Sequence, residues 1–325
     1  MSSTTSSAPA SSSPASSNPA RRVPRPQELA SSQKLMVFVL SMVLFGLANI
    51  LTEVLPEFRV GPVELSVSYL AFVPVVMVSL FHPLYAALGA PLGEIIFVDL
   101  LMGNFSGVGE LEGYIQLALG LYIGGSLVRD PARRWQVAVA AMVAVLIDKG
   151  VGGAVDILKV VVGVEDLESV QGLPESILAL EGVAFASDFL ISGIIFGAIP
   201  AAYLAPRLHG KIEPLMGMAP RDPRVPLPGR ARQTAGFIGL AVVLFIASGL
   251  FAFLEYVDIE LGLWEPDFLE QYGMSFLWVS VAACAVVLVT VVLLARRSAH
   301  RRRLEADHAP AAPATEAART TTTGV

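Results

Sequence analysis

The sequence predicts an all-α polytopic membrane protein, with a six-helix core and two additional transmembrane helices. Three observations carry that expectation. The 325 residues are 54% hydrophobic and only 15% charged, with a mean hydropathy of +0.65, whereas a soluble domain holds about 25% charged residues. Eight apolar stretches approach or exceed the roughly 20 residues that cross hydrocarbon. Arginine and lysine flank alternate ends of those stretches, as expected of a chain that crosses repeatedly.

Residues 1–33 read as a disordered cytoplasmic tail. Positions 2–20 are Ser, Thr, Ala, Pro and Asn only, with almost nothing to bury and no basic start of a cleavable signal peptide. The spans are expected at 34–55, 66–80, 84–102, 111–128, 135–162 and 176–205, which together make a core over 34–206. The second is short and stops at His82-Pro83; the fifth is long enough to tilt. Residues 207–235 are rich in Pro, Gly and Arg and read as a cytoplasmic linker. Spans at 236–256 and 274–295 hold no ionisable residue in their interiors, so 236–296 reads as a two-helix appendix for packing or partner contact. Residues 297–325 read as a second cytoplasmic tail.

Orientation follows from the basic flanks. With eight spans, Arg21, Arg22 and Arg25, then Arg129, Arg133 and Arg134, the segment 207–232 and the run 296–303 fall on one side. The rule assigns that side, and both termini, to the cytoplasm of a cell (plasma) membrane. The opposite loops carry Glu57, Glu64, Glu110, Glu165, Asp166, Glu168 and Asp258 with Arg59 nearly alone among them.

Intramembrane charges are expensive and usually face a cavity or a partner. The stretch 82–107 carries Glu94 and Asp99. Five residues apart, they lie about 140° apart on an α-helix, so they need not share one pocket. Asn49 and Glu53 lie one turn apart near the outer end of the first span. Asp148, Lys149, Gly152, Asp156 and Lys159 fall in roughly a 100° stripe of the fifth. Glu181, Asp188 and Ser192 align on the sixth, and Glu112, Tyr114 and Gln116 open the fourth. All lie in the outer half or at the midplane, which is the pattern of a pocket open outward and closed inward. The bland alternatives are an Asp156–Lys159 pair three residues apart and solvation of Glu53, Glu112 and Glu181 at the span ends. Because the acids outnumber Lys149 and Lys159, the ligand is expected to be cationic or rich in donors, or one acid carries a proton. Gly89/Gly93, Gly120/Gly124 and Gly193/Gly197 are four-residue spacings that suit close helix packing or a second subunit.

Several classes are disfavoured. There is no P-loop for nucleotide hydrolysis and no HExxH. The four histidines lie away from the outer polar residues, which argues against a histidine metal site, and Ser106 has no histidine to activate it. The lone Cys284 excludes an internal disulfide. Neither an enzyme nor a cofactor nor nucleic acid binding is expected; the expected partners are the lipid bilayer and a small molecule.

The stretch PLYAALGAPLGEIIFVDLLMG, the six-helix core over about 34–207 and the outward polar pocket resemble the substrate-binding (S) component of energy-coupling factor (ECF) type ABC transporters. The resemblance implies a subunit that captures a vitamin or related small molecule at the outer face. ATP-driven uptake would then depend on a coupling membrane protein and two ATPase subunits. It places ligand contacts at Asn49, Glu53, Glu94, Asp99, Asp148, Asp156, Lys159, Glu181 and Asp188, with loops 56–65, 103–110 and 164–175 as gates. Two departures stand out: the first span lacks the four-spaced small residues that dock the coupling protein in that family, and the last two spans are extra. Ser2 after Met1, in place of a histidine, disfavours the cobalt and nickel branch. A stand-alone proton-coupled importer and a membrane scaffold are the alternative readings.

Overall fold

The computed structural model describes residues 29–53, 58–60, 63–65, 67–103, 105–107, 109–163, 176–225, 234–256 and 268–307. The expected tails at 1–28 and 308–325 and the loop 164–175 lie outside them. The chain is a helical, membrane-embedded protein. Among the described residues five helical stretches are long and apolar enough to span: Ser31–Thr52, Pro83–Leu100, Arg134–Val162, Ile177–Leu208 and Met274–Leu294. Three further helices run beside them.

Helix α1 (Ser31–Thr52) is followed by a small antiparallel hairpin, β1 (Phe58–Val60) and β2 (Val63–Leu65), with Phe58 opposite Leu65. The hairpin is a small addition between spans and leaves the all-α class of the bundle as expected. Helix α2 (Phe72–Leu80) has nine residues, about 14 Å at 1.5 Å each, and fills only nine of the fifteen positions in the expected 66–80. Residues 67–70 are not helical. Pro74 accounts for the start: it is tolerated in a first turn, but one more turn upstream would press its ring on the Leu70 carbonyl.

Helix α3 (Pro83–Glu94) runs directly into a π-helical segment, Ile95–Leu100. Helix α4 (Gly109–Leu127) and the long α5 (Arg134–Val162) follow. The next span joins α6 (Ile177–Asp188), a π-helical stretch Phe189–Ala198 and α7 (Ile199–Leu208). The short α8 (Ile212–Leu215) leads to α9 (Thr234–Tyr256), α10 (Phe268–Tyr272) and α11 (Leu277–Asp307). Helix α9 packs mainly on α4, and α11 on α1 and the π segment after α3. Helix α11 continues through the basic run that the sequence assigned to a tail.

Glycine seams hold the bundle together. A methyl group added at Gly89 or Gly93 would overlap the backbone carbonyls of Phe38 or Met42 on α1. One at Gly120 or Gly124 would come within 2.5 Å of the Ala144 or Ala140 carbonyl on α5. One at Gly193 would crowd Val145 of α5, and one at Gly197 would lie 3.3 Å from Ala71 and 3.7 Å from Ala141. All three four-residue spacings are therefore internal packing surfaces, not open faces for a second subunit. Ser41 adds a buried hydrogen bond from its hydroxyl to the Ala86 carbonyl, at 2.7 Å. The lower core is filled by Val75, Val78, Leu121, Ala140, Ala141, Val145 and Ala201.

One end of the bundle is basic and is closed by the segment after α7. Gln33 at the start of α1 donates to the Gly217 carbonyl at 2.7 Å. Arg221 donates to the carbonyls of Phe81 (3.1 Å) and Val128 (2.8 Å), which follow α2 and α4. Burial lowers its guanidinium to about 10, so it stays charged at neutral pH. Met218 is buried in the main core and Ile212 packs against it. The first half of the expected linker is thus a structured floor. These contacts gather the start of α1, the turn between α2 and α3 and the turn between α4 and α5 at one end, as an up-and-down bundle requires.

His82 sits at that floor. Burial, Arg221 and Lys34 hold its proton affinity below the ordinary 6.5. The unfolded chain therefore takes up the proton first as pH falls. Its stability contribution is full above about pH 6.5 and lost as pH drops through the lower folded value. Thermal melts between pH 7.5 and pH 5 should show a fall in stability that His82→Gln makes shallower. Equal slopes for the two proteins would assign the pH dependence elsewhere.

Candidate functional site

At the end opposite the floor the helices enclose a cavity of about 420 Å³. Among the described residues its lining holds eight carboxyl side chains, Glu94, Asp99, Glu110, Glu112, Asp148, Asp156, Glu181 and Asp188, and one lysine, Lys149. Tyr69, Tyr114, Gln116 and Phe185 complete the polar and aromatic wall.

Irregular backbone builds this site. The non-helical residues before α2 reach it: the Tyr69 hydroxyl donates to the Asp148 carboxylate at 2.8 Å, and the Ser68 hydroxyl to Asp188 at 2.6 Å. Non-helical backbone at membrane depth is tolerated where protein buries it or a cavity solvates it. The Lys149 ammonium lies 4.0 Å from Asp188 and 5.4 Å from the Tyr69 ring centre. Tyr69 in turn meets Phe45 of α1 edge-on, with ring centres 5.8 Å apart. Asp148 is almost fully buried, so Tyr69 and the neighbouring Lys149 are what make its charge bearable.

Both π segments begin directly after a lining acid, at Glu94 and at Asp188. Hydrogen bonds in a π-helix link residues five apart. That register draws Glu94 and Asp99 towards one face, and both line the cavity. The 140° separation expected from α-helical geometry does not hold there.

A second cluster closes one side. Lys159 donates to Asp156 at 3.0 Å and lies 3.8 Å from Glu112. Glu112 also accepts from Gln116 at 2.8 Å. Gln116 further reaches Ser248 of α9 at 3.0 Å, so α9 buttresses the wall. Glu110 accepts from the Ser106 hydroxyl and amide at 3.0 and 3.2 Å, pinning the turn before α4. The Tyr114 hydroxyl ties α4 to the Leu88 carbonyl of α3.

Of the nine expected site residues, Glu94, Asp99, Asp148, Asp156, Glu181 and Asp188 line the cavity. Lys159 stands behind it, held by Asp156 and Glu112. Asn49 does not reach it and is buried elsewhere along α1. Glu53 is exposed just beyond the last turn of α1 and also lies outside the lining. Ser68, Tyr69, Glu110 and Phe185 were missed. The pre-helical SVSYLA segment looks like continuous span by hydropathy, which hides the break that exposes Ser68 and Tyr69. Among the described residues no group of three His, Cys, Asp or Glu side chains is arranged to hold a metal ion.

No curated protein and no solved structure matches the chain. Over residues 36–304 it matches a family of unknown function, and it belongs to that family, DUF8171.

Proposed function

We propose that the chain captures a small molecule, cationic or rich in hydrogen-bond donors, in the outer-facing cavity and delivers it for uptake. The carrying observation is a cavity of about 420 Å³ with, among the described residues, eight carboxyl groups against one lysine. That volume lies within the roughly 300–1,000 Å³ of small-molecule sites. Carboxylates in excess within a low-dielectric wall favour a ligand that brings positive charge. Tyr69, Tyr114 and Phe185 offer faces that suit an organic cation. The positive-inside rule puts the Arg221 floor in the cytoplasm, with both termini, and the cavity at the outer face of the plasma membrane.

In this reading the chain is the substrate-capture subunit of an ECF-type importer for a vitamin or related molecule. Eight spans are formed by α1, α2 with its unwound lead, α3, α4, α5, the α6–α7 unit, α9 and α11. A separate coupling membrane protein and two ATPases supply the energy. Asp148 and Asp188 anchor the ligand, with Lys149 setting their charge, while Glu94 and Asp99 form the opposing wall.

One observation favours a stand-alone, proton-coupled importer as the second reading. Helix α1, the face that docks the coupling protein in the ECF family, packs here against both α3 and α11.

Native mass spectrometry of protein extracted from its own host in lipid nanodiscs separates the two. A bound small molecule together with ATPase subunits supports the ECF reading. A small molecule without them, and uptake that collapses with the proton gradient, supports the second. Absence of any ligand after extraction, with no uptake by reconstituted vesicles, would remove both. Asp148→Asn and Asp188→Asn should each weaken ligand binding by about tenfold or more, the loss of one charge-assisted contact, with topology unchanged. Full binding by both variants would remove the assignment of these acids.

A further inference from the structure

Helix α2 is short, central and almost wholly buried. Seven of its nine residues, Pro74 through Leu80, are buried. It packs against α1, α3, α4, α5, α7 and the π stretch between α6 and α7. Its upper end continues into Ser68 and Tyr69, which hold Asp188 and Asp148 in the cavity. Its lower end is the Phe81 carbonyl, which accepts from Arg221 at 3.1 Å. The same guanidinium binds the Val128 carbonyl at 2.8 Å, so one side chain ties the lower ends of α2 and α4. Between those points Val78 of α2 seats directly on Gly125 of α4, with no α4 side chain between them. A Cβ at Gly125 would lie 2.6 Å from that of Val78.

We propose that α2 is the inner plug of the cavity and Arg221 its latch, with Ser68 and Tyr69 coupling the occupied or empty state of the cavity to closure at the basic end. Three physical points support this. A half-length helix preceded by non-helical backbone can shift as a unit, because the segment at 67–70 joins it through turn bonds, from the Ala71 and Val73 amides to the Tyr69 and Leu70 carbonyls, and not through a continuous helix. The contact with α4 at Gly125 has no side chain on the α4 side, so Val78 is the side chain that must leave its seat there for α2 to move. The latch is three hydrogen bonds from one cation to carbonyl groups, the third being the longer contact to Gly125 at 3.5 Å. Such bonds are strong when shielded and are lost together if the side chain swings out. A ligand that competes for Asp148 or Asp188 would release Tyr69 or Ser68 and so free the upper end of α2. The inference concerns inner closure and stands whether or not the importer carries its own energy source or works with ATPases.

The test reads access to the buried lower half of α2 without any ligand. In a Cys284→Ala background, Ser79→Cys places a thiol where the hydroxyl is fully buried. Labelling by a membrane-impermeant maleimide in nanodiscs should be slow. Adding Arg221→Gln should speed it about tenfold or more, as expected when a local opening loses over about 1.4 kcal/mol of protection. Arg221→Lys should fall between the two. A control thiol at Val43→Cys, buried against the α11 side of the bundle, should not change. Tyr69→Phe, with Arg221 intact, should also speed labelling of Ser79→Cys. Unchanged labelling on loss of Arg221, or equal acceleration at Val43→Cys, would overturn the latch. Unchanged labelling in Tyr69→Phe would overturn the coupling through α2.

Discussion

Gly93→Leu is expected to abolish folding. A methyl group at Gly93 already overlaps the Met42 carbonyl of α1 and crowds the Gly46 amide. The obstacle is backbone on a helix that is itself clamped by Gly89 and by the Ser41–Ala86 hydrogen bond. No rotamer change can make room, so the α1–α3 seam must part. Gly93→Ala should lower stability by about 1–3 kcal/mol, the usual range for overpacking a close contact. Gly113→Ala, where nothing lies within 4 Å, serves as the neutral comparison. Fluorescence-detected size exclusion and thermal melts read both effects. A monodisperse, normally melting Gly93→Leu protein would show that α1 and α3 are not packed backbone to backbone.

Lys149→Met is expected to have the second-largest effect. Among the described residues Lys149 is the single cation in the cavity lining, beside the buried Asp148 and 4.0 Å from Asp188. Removing one partner of a buried ion pair leaves the other charge uncompensated and costs about 3–5 kcal/mol. The Lys149 and Asp188 side chains are 31% and 26% exposed, so solvent screening reduces this to about 2 kcal/mol. Adding Asp188→Asn to Lys149→Met removes the surplus negative charge. The double variant should recover most of the lost stability, a coupling that a double-mutant cycle isolates. Additive losses in the cycle would mean that Lys149 and Asp188 do not interact.

The helices were legible because hydropathy reports burial in lipid directly. The acids were legible for the converse reason: Glu94, Asp148 and Asp188 stand out in apolar runs, and all three line the cavity. Three features were not legible, each for a physical cause. Hydropathy is blind to hydrogen-bond register, so the π segments after Glu94 and Asp188 left no mark. The apolar Val67, Leu70 and Ala71 concealed the break above α2. The floor at 212–225 looked like a linker because its proline and glycine content resembles one, although Met218 and Glu213 are buried there. Asn49 was misplaced for a related reason. Its depth in the span was read from sequence, but which neighbour its face meets depends on where α3 and α11 lie around α1.

The glycine and alanine seams also have an entropic consequence. In lipid, helices gain no hydrophobic free energy by leaving hydrocarbon for one another, so association rests on packing and on whatever disorder it spares. Gly and Ala have no side-chain rotamers to freeze, whereas Met or Leu at the same positions would lose about 0.5–2 kcal/mol each. Gly89 and Gly93 against α1, and Gly120 and Gly124 against Ala140 and Ala144, bring backbones together with almost no loss of side-chain freedom. The bundle closes around its acidic cavity at little cost in side-chain entropy, which leaves more of its modest stability to hold Asp148, Lys149 and Asp188 in an environment that opposes charge.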